Sequence, residues 1–180
     1  MIIAGLGNPG RQYEATRHNV GFMAAEYLSR RLNFSFKESS KFKCVIASGN
    51  FENTKLHIIK PQTFMNLSGE SLTLVKNYYK ENNEDIIVFY DEIDLPLGTI
   101  RHKIGGGSAG HNGIKSLDQH IGTGYHKIRI GIGKPIEKIE VANYVLSKFS
   151  NEELQIVNSF CEKLHPALSE LVSKNFRSII

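Results

Sequence analysis

Five consecutive apolar residues, Ile86-Ile87-Val88-Phe89-Tyr90, constrain this chain more than any other stretch. A run this short, made of β-branched and aromatic residues, fits a strand, and the missing polar alternate means that both its faces are buried. A strand covered on both sides belongs inside a sheet with helices above and below it. The run ends at Asp91-Glu92-Ile93-Asp94, and Leu95-Pro96 breaks it off.

The rest of the pattern can be read around that strand. Ile2-Ile3-Ala4 is a second short apolar strand, and Gly5-Leu6-Gly7-Asn8-Pro9-Gly10 turns out of it. The loop continues to Arg17-His18-Asn19. Val20, Ala24, Tyr27, Leu28 and Leu32 then recur at the spacing of a helix over about residues 18–32. Lys43–Ala47 and Lys55–Lys60 read as a hairpin with Gly49, Asn50 and Asn53 as its turn formers. Pro61 opens the loop Pro61-Gln-Thr-Phe-Met-Asn66, and a helix follows with Leu72, Val75 and Tyr78/Tyr79 inward. The glycine-rich loop Gly105–Gly113 feeds a helix that ends at Ile121, and Lys127–Ile132 alternates as a strand does. Ser150-Asn-Glu-Glu153 is a capping box. Leu154, Val157, Cys161, Leu164, Leu168 and Leu171 mark a long terminal helix, bent near Pro166.

Strands alternating with helices give a single α/β domain over residues 1–180. Its expected form has three layers, with a twisted, mixed, mostly parallel sheet and helices on both faces. Ligands of such sheets gather beyond the carboxyl ends of the strands. If the strands run parallel, Gly5–Asn8, Pro61–Asn66 and Asp91 meet at one edge.

With 180 residues, 41% of them hydrophobic, the chain can build one sizeable core. No apolar run approaches the roughly 20 residues that span a bilayer, and the N-terminus lacks a signal-peptide pattern, so a cytoplasmic location is expected. Cys44 and Cys161 each sit in an apolar pattern, which reads as buried thiols in a reducing compartment. The net charge of +4 says little about partners. Its distribution says more: between Thr99 and Ile136 lie Arg101, Lys103, Lys115, Lys127, Arg129 and Lys134 against the single acid Asp118. Glu81–Asp94 holds acids and no base. Such segregation fits one surface facing a polyanion and fits a solvated face as well.

Gly5-x-Gly7-x-x-Gly10 matches a dinucleotide fingerprint only formally, since Pro9 and the polar run to Arg17 delay the helix that should receive the pyrophosphate. Residues 105–113 lack the Walker A contiguity, although glycines before a helix suit an anion. No His/Cys pair has the spacing of a tetrahedral metal site, so no metal and no cofactor are expected. That leaves general-base chemistry. Imidazole, with an unperturbed pKa of about 6.5, accepts a proton near neutrality without tuning. His18 at a loop–helix junction is the candidate, and Asp91 is the carboxylate that would fix its tautomer. Asn8, Asn66 and Asn112 each lie in a Gly- or Pro-bounded loop, and their amides offer donors and acceptors to an ester or peptide carbonyl.

Six blocks of the sequence together resemble the bacterial-type peptidyl-tRNA hydrolases. They are Gly5–Gly10, Tyr13…Thr16-Arg-His-Asn19, Lys60-Pro-x-Thr-Phe-Met-Asn66-x-Ser-Gly69, Asp91-Glu-x-Asp-Leu-Pro96, Gly105-Gly…Gly110-His-Asn-Gly113 and Arg129-Ile-Gly-Ile-Gly133. The resemblance implies a monomeric α/β enzyme that cleaves the ester between a peptide and the 3′ end of tRNA without a metal. It implies no DNA or membrane partner. By that resemblance His18 activates water, Asp91 holds it in its basic form, and Asn8 senses the acylated amino end. Tyr13, Phe64, Asn66 and Asn112 would line the site for the acceptor end and the peptide, with Met65 as an apolar wall. Arg101, Lys103 and Arg129 would grip tRNA phosphates. Ala109 stands where the family often has glycine, and Tyr90 occupies a variable position. The alternatives are a non-catalytic RNA-binding protein on the same scaffold and a metal-dependent hydrolase.

Overall fold

The computed structural model describes residues 1–135 and 140–176, so Ile136, the last position of the basic stretch, lies outside it. The strands are β1 (Ile2–Gly5), β2 (Lys37–Ser39), β3 (Cys44–Phe51), β4 (Thr54–Pro61), β5 (Ile86–Glu92), β6 (Ile100–Ile104) and β7 (His126–Gly131). The helices are α1 (Val20–Arg31), α2 (Ser68–Tyr79), α3 (Asn112–Ile121), α4 (Val141–Val145), α5 (Asn151–Leu164) and α6 (Leu168–Val172). All the strands join one sheet in the order β2-β3-β4-β1-β5-β7-β6. Its centre, β4-β1-β5-β7, is parallel. The edges are antiparallel: β3 and β2 on one side, β6 on the other.

Every residue of β5 is buried, as its unbroken apolar run requires. Alternation along the strands feeds two cores. Ile3, Ile58, Ile87, Phe89 and Ile128 pack with Val20, Ala24 and Leu28 of α1 and with Val157, Phe160 and Leu164 of α5. Ile2, Ala4, Ile86, Val88 and Tyr90 pack on the other face with Leu72 and Val75 of α2 and Ile114 and Leu117 of α3. Each fully buried large side chain contributes about 1.5–3 kcal/mol. β1, β4 and β5 contribute to both cores and are held firmly on either face. The loops at their carboxyl ends inherit that rigidity.

Several local expectations are adjusted. Gly49 and Asn50 lie inside β3, and the hairpin turns at Glu52-Asn53, with Glu52 at φ +52°. Gly49 is glycine because a Cβ there would come within 2.1 Å of the Phe34 ring. The capping box forms, with Ser150 Oγ accepting from Glu153 N and Glu153 Oε2 from Ser150 N. Beyond it the chain is not one bent helix but two, α5 and α6, separated around Pro166. β2, β6 and α4 were not expected from the sequence. Cys44 and Cys161 are free and buried, and burial raises their thiols to about 11 and about 12. Among the described residues no helix is long and apolar enough to cross a membrane.

Candidate active site

Because β1, β4 and β5 are parallel, the loops leaving their carboxyl ends do share one edge. A 3₁₀ turn, Arg17–Asn19, sits over that edge and leads into α1. The approach of α1 is close: a Cβ on Gly21 would lie 2.3 Å from the Phe89 carbonyl oxygen and 2.6 Å from Leu6 N. The turn thereby brings His18 to the end of β5, where its Nδ1 is 2.8 Å from Asp91 Oδ1. Both groups are buried.

The same carboxylate oxygen meets a second imidazole, His111 Nε2 at 2.9 Å. His111 is the N-cap of α3, and its Nδ1 accepts from the backbone N–H groups of Gly113 and Ile114 at 3.1 and 3.2 Å. An acceptor nitrogen carries no proton, so His111 bears its hydrogen on Nε2 and donates it to Asp91. With Asp91 acting as acceptor, His18 donates Nδ1–H, and its Nε2 is left bare. Burial by itself would raise the Asp91 pKa. The charges and hydrogen bonds of His111 and His18 outweigh it and hold the carboxyl well below the usual carboxylate range.

His18 opens onto a crevice of about 390 Å³ lined by Asn8, Phe64, Met65, Asn66, Asn112, Ala142, Val145 and Leu146. Behind His111 a second hollow of about 420 Å³ shares His18, Asn112, Ala142 and Val145 with it, so α4 is a wall common to both. Asn8 is buried, and its Oδ1 accepts from Met65 N at 2.8 Å. Phe64 is 56% exposed at the rim, and its ring meets that of Tyr13 edge-on at 6.4 Å between centroids. Arg17, next to His18, anchors the far wall. Its Nη2 lies 2.9 Å from Glu153 Oε2, its Nε donates to Ser147 Oγ at 3.2 Å, and its guanidinium sits over the rings of Tyr144 and Phe149.

A family model described as peptidyl-tRNA hydrolase matches residues 2–180. The chain belongs to the peptidyl-tRNA hydrolase family. A peptidyl-tRNA hydrolase of Rickettsia bellii is 49% identical over 164 residues, 91% of this chain and 89% of its relative. One from Bacillus cereus is 46% identical over 180 residues, 99% of this chain and 96% of that one. A crystal structure of the peptidyl-tRNA hydrolase from Acinetobacter baumannii superposes with a TM-score of 0.93 at 36% identity, covering 99% of this chain and 91% of the other.

Within this member of the peptidyl-tRNA hydrolase family, the crevice gathers His18, Asp91, Asn8, Phe64, Met65, Asn66 and Asn112, with Tyr13 at its edge. Arg101, Lys103 and Arg129 stand apart from it on the β6–β7 edge, where Arg101 faces Arg129 and Lys103 faces Lys127 across the strands. Lys127 does not join a polyanion surface. It is fully buried, with Nζ 3.0 Å from Asp118 Oδ1 and 3.2 Å from the Gly106 carbonyl. Lys134 pairs with Asp94 at 2.7 Å, and Arg129 lies 3.7 Å from Glu92. The amides of Gly113 and Ile114, suited to an anion by position, are taken by His111.

His111 is the residue that motif spacing did not single out for the site. Its signal was a histidine one residue ahead of a helix in a glycine loop. His18, Asp91 and His111 also form the one cluster among the described residues whose ligand atoms, all within 4.8 Å of one another, could hold a metal ion. Spacing along the chain could not show this, because the fold assembles the cluster from three elements. The hydrogen bonds already engage both nitrogens of His111 and Nδ1 of His18.

Proposed function

We propose that this enzyme hydrolyses the ester joining a peptide to the 3′ end of tRNA, with His18 as general base and no metal in the step. The observation that carries the reading is the 2.8 Å contact of His18 Nδ1 with Asp91 at the head of an amide-lined crevice. Asp91 fixes the tautomer that leaves Nε2 bare. Nε2 removes a proton from water as the water oxygen bonds to the ester carbon. The carbonyl electrons move onto oxygen, where the amides of Asn66 and Asn112 donate to the developing charge. The oxyanion then collapses, the bond to the ribose 3′ oxygen breaks, and that oxygen takes the proton back from the imidazolium. Free tRNA and peptide leave.

Asn8 supports discrimination for N-blocked substrates. With its Oδ1 committed to Met65 N, what it presents to the crevice is the Nδ2 donor pair. A peptide carbonyl accepts from that group, whereas the ammonium of aminoacyl-tRNA only donates. Tyr13, Phe64 and Met65 offer ring and apolar surface to the acceptor end. Arg101, Lys103 and Arg129, outside the crevice, would meet phosphates further along the tRNA. The family resemblance supports a monomeric, cytoplasmic enzyme whose partner is peptidyl-tRNA rather than DNA or a membrane.

The test is release of N-acetylated amino acid from N-acetyl-aminoacyl-tRNA in excess chelator. The wild type turns over at full rate, and His18→Ala loses roughly 10²–10⁴-fold while keeping its fold. Asp91→Asn loses less, because the base remains but can settle in the wrong tautomer. The pH–rate profile shows one acid limb from the imidazole, since Asp91 stays ionised throughout it. Loss of activity in chelator, or near-normal turnover by His18→Ala, overturns the reading.

A further inference from the structure

Asn19 stands where α1 would take its N-cap, and asparagine is among the best residues for that position. Its side chain makes no cap hydrogen bond. The need is met from elsewhere, because Phe22 N in the first turn donates to the Leu6 carbonyl at 3.1 Å. Both polar atoms of the Asn19 side chain go instead to one residue. Its Oδ1 accepts from Asn8 N at 2.8 Å, and its Nδ2 donates to the Asn8 carbonyl at 2.9 Å. Asn19 is 4% exposed, so these bonds are shielded from water.

Asn8 has four polar atoms, and three of them are thereby fixed: N and O by Asn19, and Oδ1 by the amide of Met65. Of these four atoms only Nδ2 has no hydrogen-bond partner among the described residues, and it belongs to the residue lining the crevice beside His18. We infer that Asn19 is the positioning residue for substrate selection: it clamps the Asn8 peptide group so that the side chain can offer a donor and nothing else to the N-blocked end of the substrate. The inference rests on the reading of Asn8 given above. Asn19 also adjoins His18 in the same 3₁₀ turn, so the clamp ties the selecting amide to the base in one rigid unit. A misplacement of about 1 Å in such a unit costs on the order of 10²-fold in rate.

A residue that merely tied the loop down would affect all substrates alike, so the readout is a ratio. The ratio is kcat/KM for N-acetyl-aminoacyl-tRNA over that for aminoacyl-tRNA, measured on the full chain. Asn19→Ala lowers it by about 10- to 10²-fold through loss on the blocked substrate, and the acid limb of the pH–rate profile stays where it was. Asn19→Ser, which carries no charge and is too short to reach the Asn8 N–H and carbonyl together, does the same and serves if the alanine variant fails to fold. Adding Asn8→Ala to either variant lowers the ratio no further, because the clamp and the amide it holds act as one element. An unchanged ratio, an equal loss on both substrates, a displaced acid limb, or full additivity of the two substitutions each overturns the assignment. A wild type that shows no turnover of the blocked substrate defeats the parent reading instead, so the two failures are told apart.

Discussion

A methyl group added at Gly21 or Gly5 would strike a backbone carbonyl oxygen at 2.2–2.3 Å, whereas at Gly107 or Gly105 it would meet nothing within 4 Å. The first pair lies at the β1–α1 contact that carries the His18 turn, the second in the loop between β6 and α3 that leads to His111. On the β1–α1 side, glycine allows a helix to rest on the carbonyls of two core strands, and the amides around Asn8 are bonded to each other and buried. On the β6 side Gly105, Gly107 and Gly110 border open space, Gly106 lies against the Lys103 side chain, and Ala109 is held at φ +48°. Left-handed backbone costs a side-chain-bearing residue roughly 1–2 kcal/mol. The proposed base and the Asn8 amide are thus held on the packed side, and the exposed side carries the cations at Arg101 and Lys103. Precision and adaptability are divided between them.

Substitutions can break that division, and the largest effect is expected at the helix contact. Gly21→Ala forces α1 off Leu6 and Phe89 and should destabilise the fold by about 3 kcal/mol, the upper end for overpacking. Thermal unfolding would show it, together with lost turnover as His18 moves from Asp91. Next comes the pair of lysines that face each other across β6 and β7. Lys127→Ala takes the cation from Asp118, which keeps its Tyr125 bond and some access to water, and should cost about 2 kcal/mol, short of the loss for a fully buried pair, with the salt dependence of KM unaltered. Lys103→Ala should leave Tm alone and reduce the slope of log KM against log salt by about one. If Lys127→Ala altered the slope or Lys103→Ala the Tm, the assignment of one lysine to structure and the other to binding would be reversed. The smallest effect is at Gly107→Ala, expected within about 0.5 kcal/mol and without change in kcat.

How much of this could be seen in the sequence follows the same division. β1, β5 and α1 announce themselves by unbroken or periodic apolar residues, and the parallel sheet then delivers Asn8, Asn66 and Asp91 to one edge. The exposed side was harder to read. Ile100-Arg-His-Lys-Ile104 has three polar residues between its isoleucines and so lacks the signature of a covered strand, although it pairs along its whole length with β7. Val141–Val145 is too short to show a helical period, yet it walls the crevice. Lys127 alternates as a solvent-facing residue would, and only the fold shows Asp118 beneath it. His111 escaped because its role depends on a carboxylate twenty positions upstream and on two amides that no pattern reveals.

The anchorage of Arg17 has a consequence in time. Its partners Ser147 and Glu153 lie 130 and 136 positions later in the chain. A polypeptide leaving the ribosome from its amino end carries the histidine turn into solution long before the side chains that brace it have been synthesised. The turn that holds His18 is therefore braced only once the start of α5 has been made.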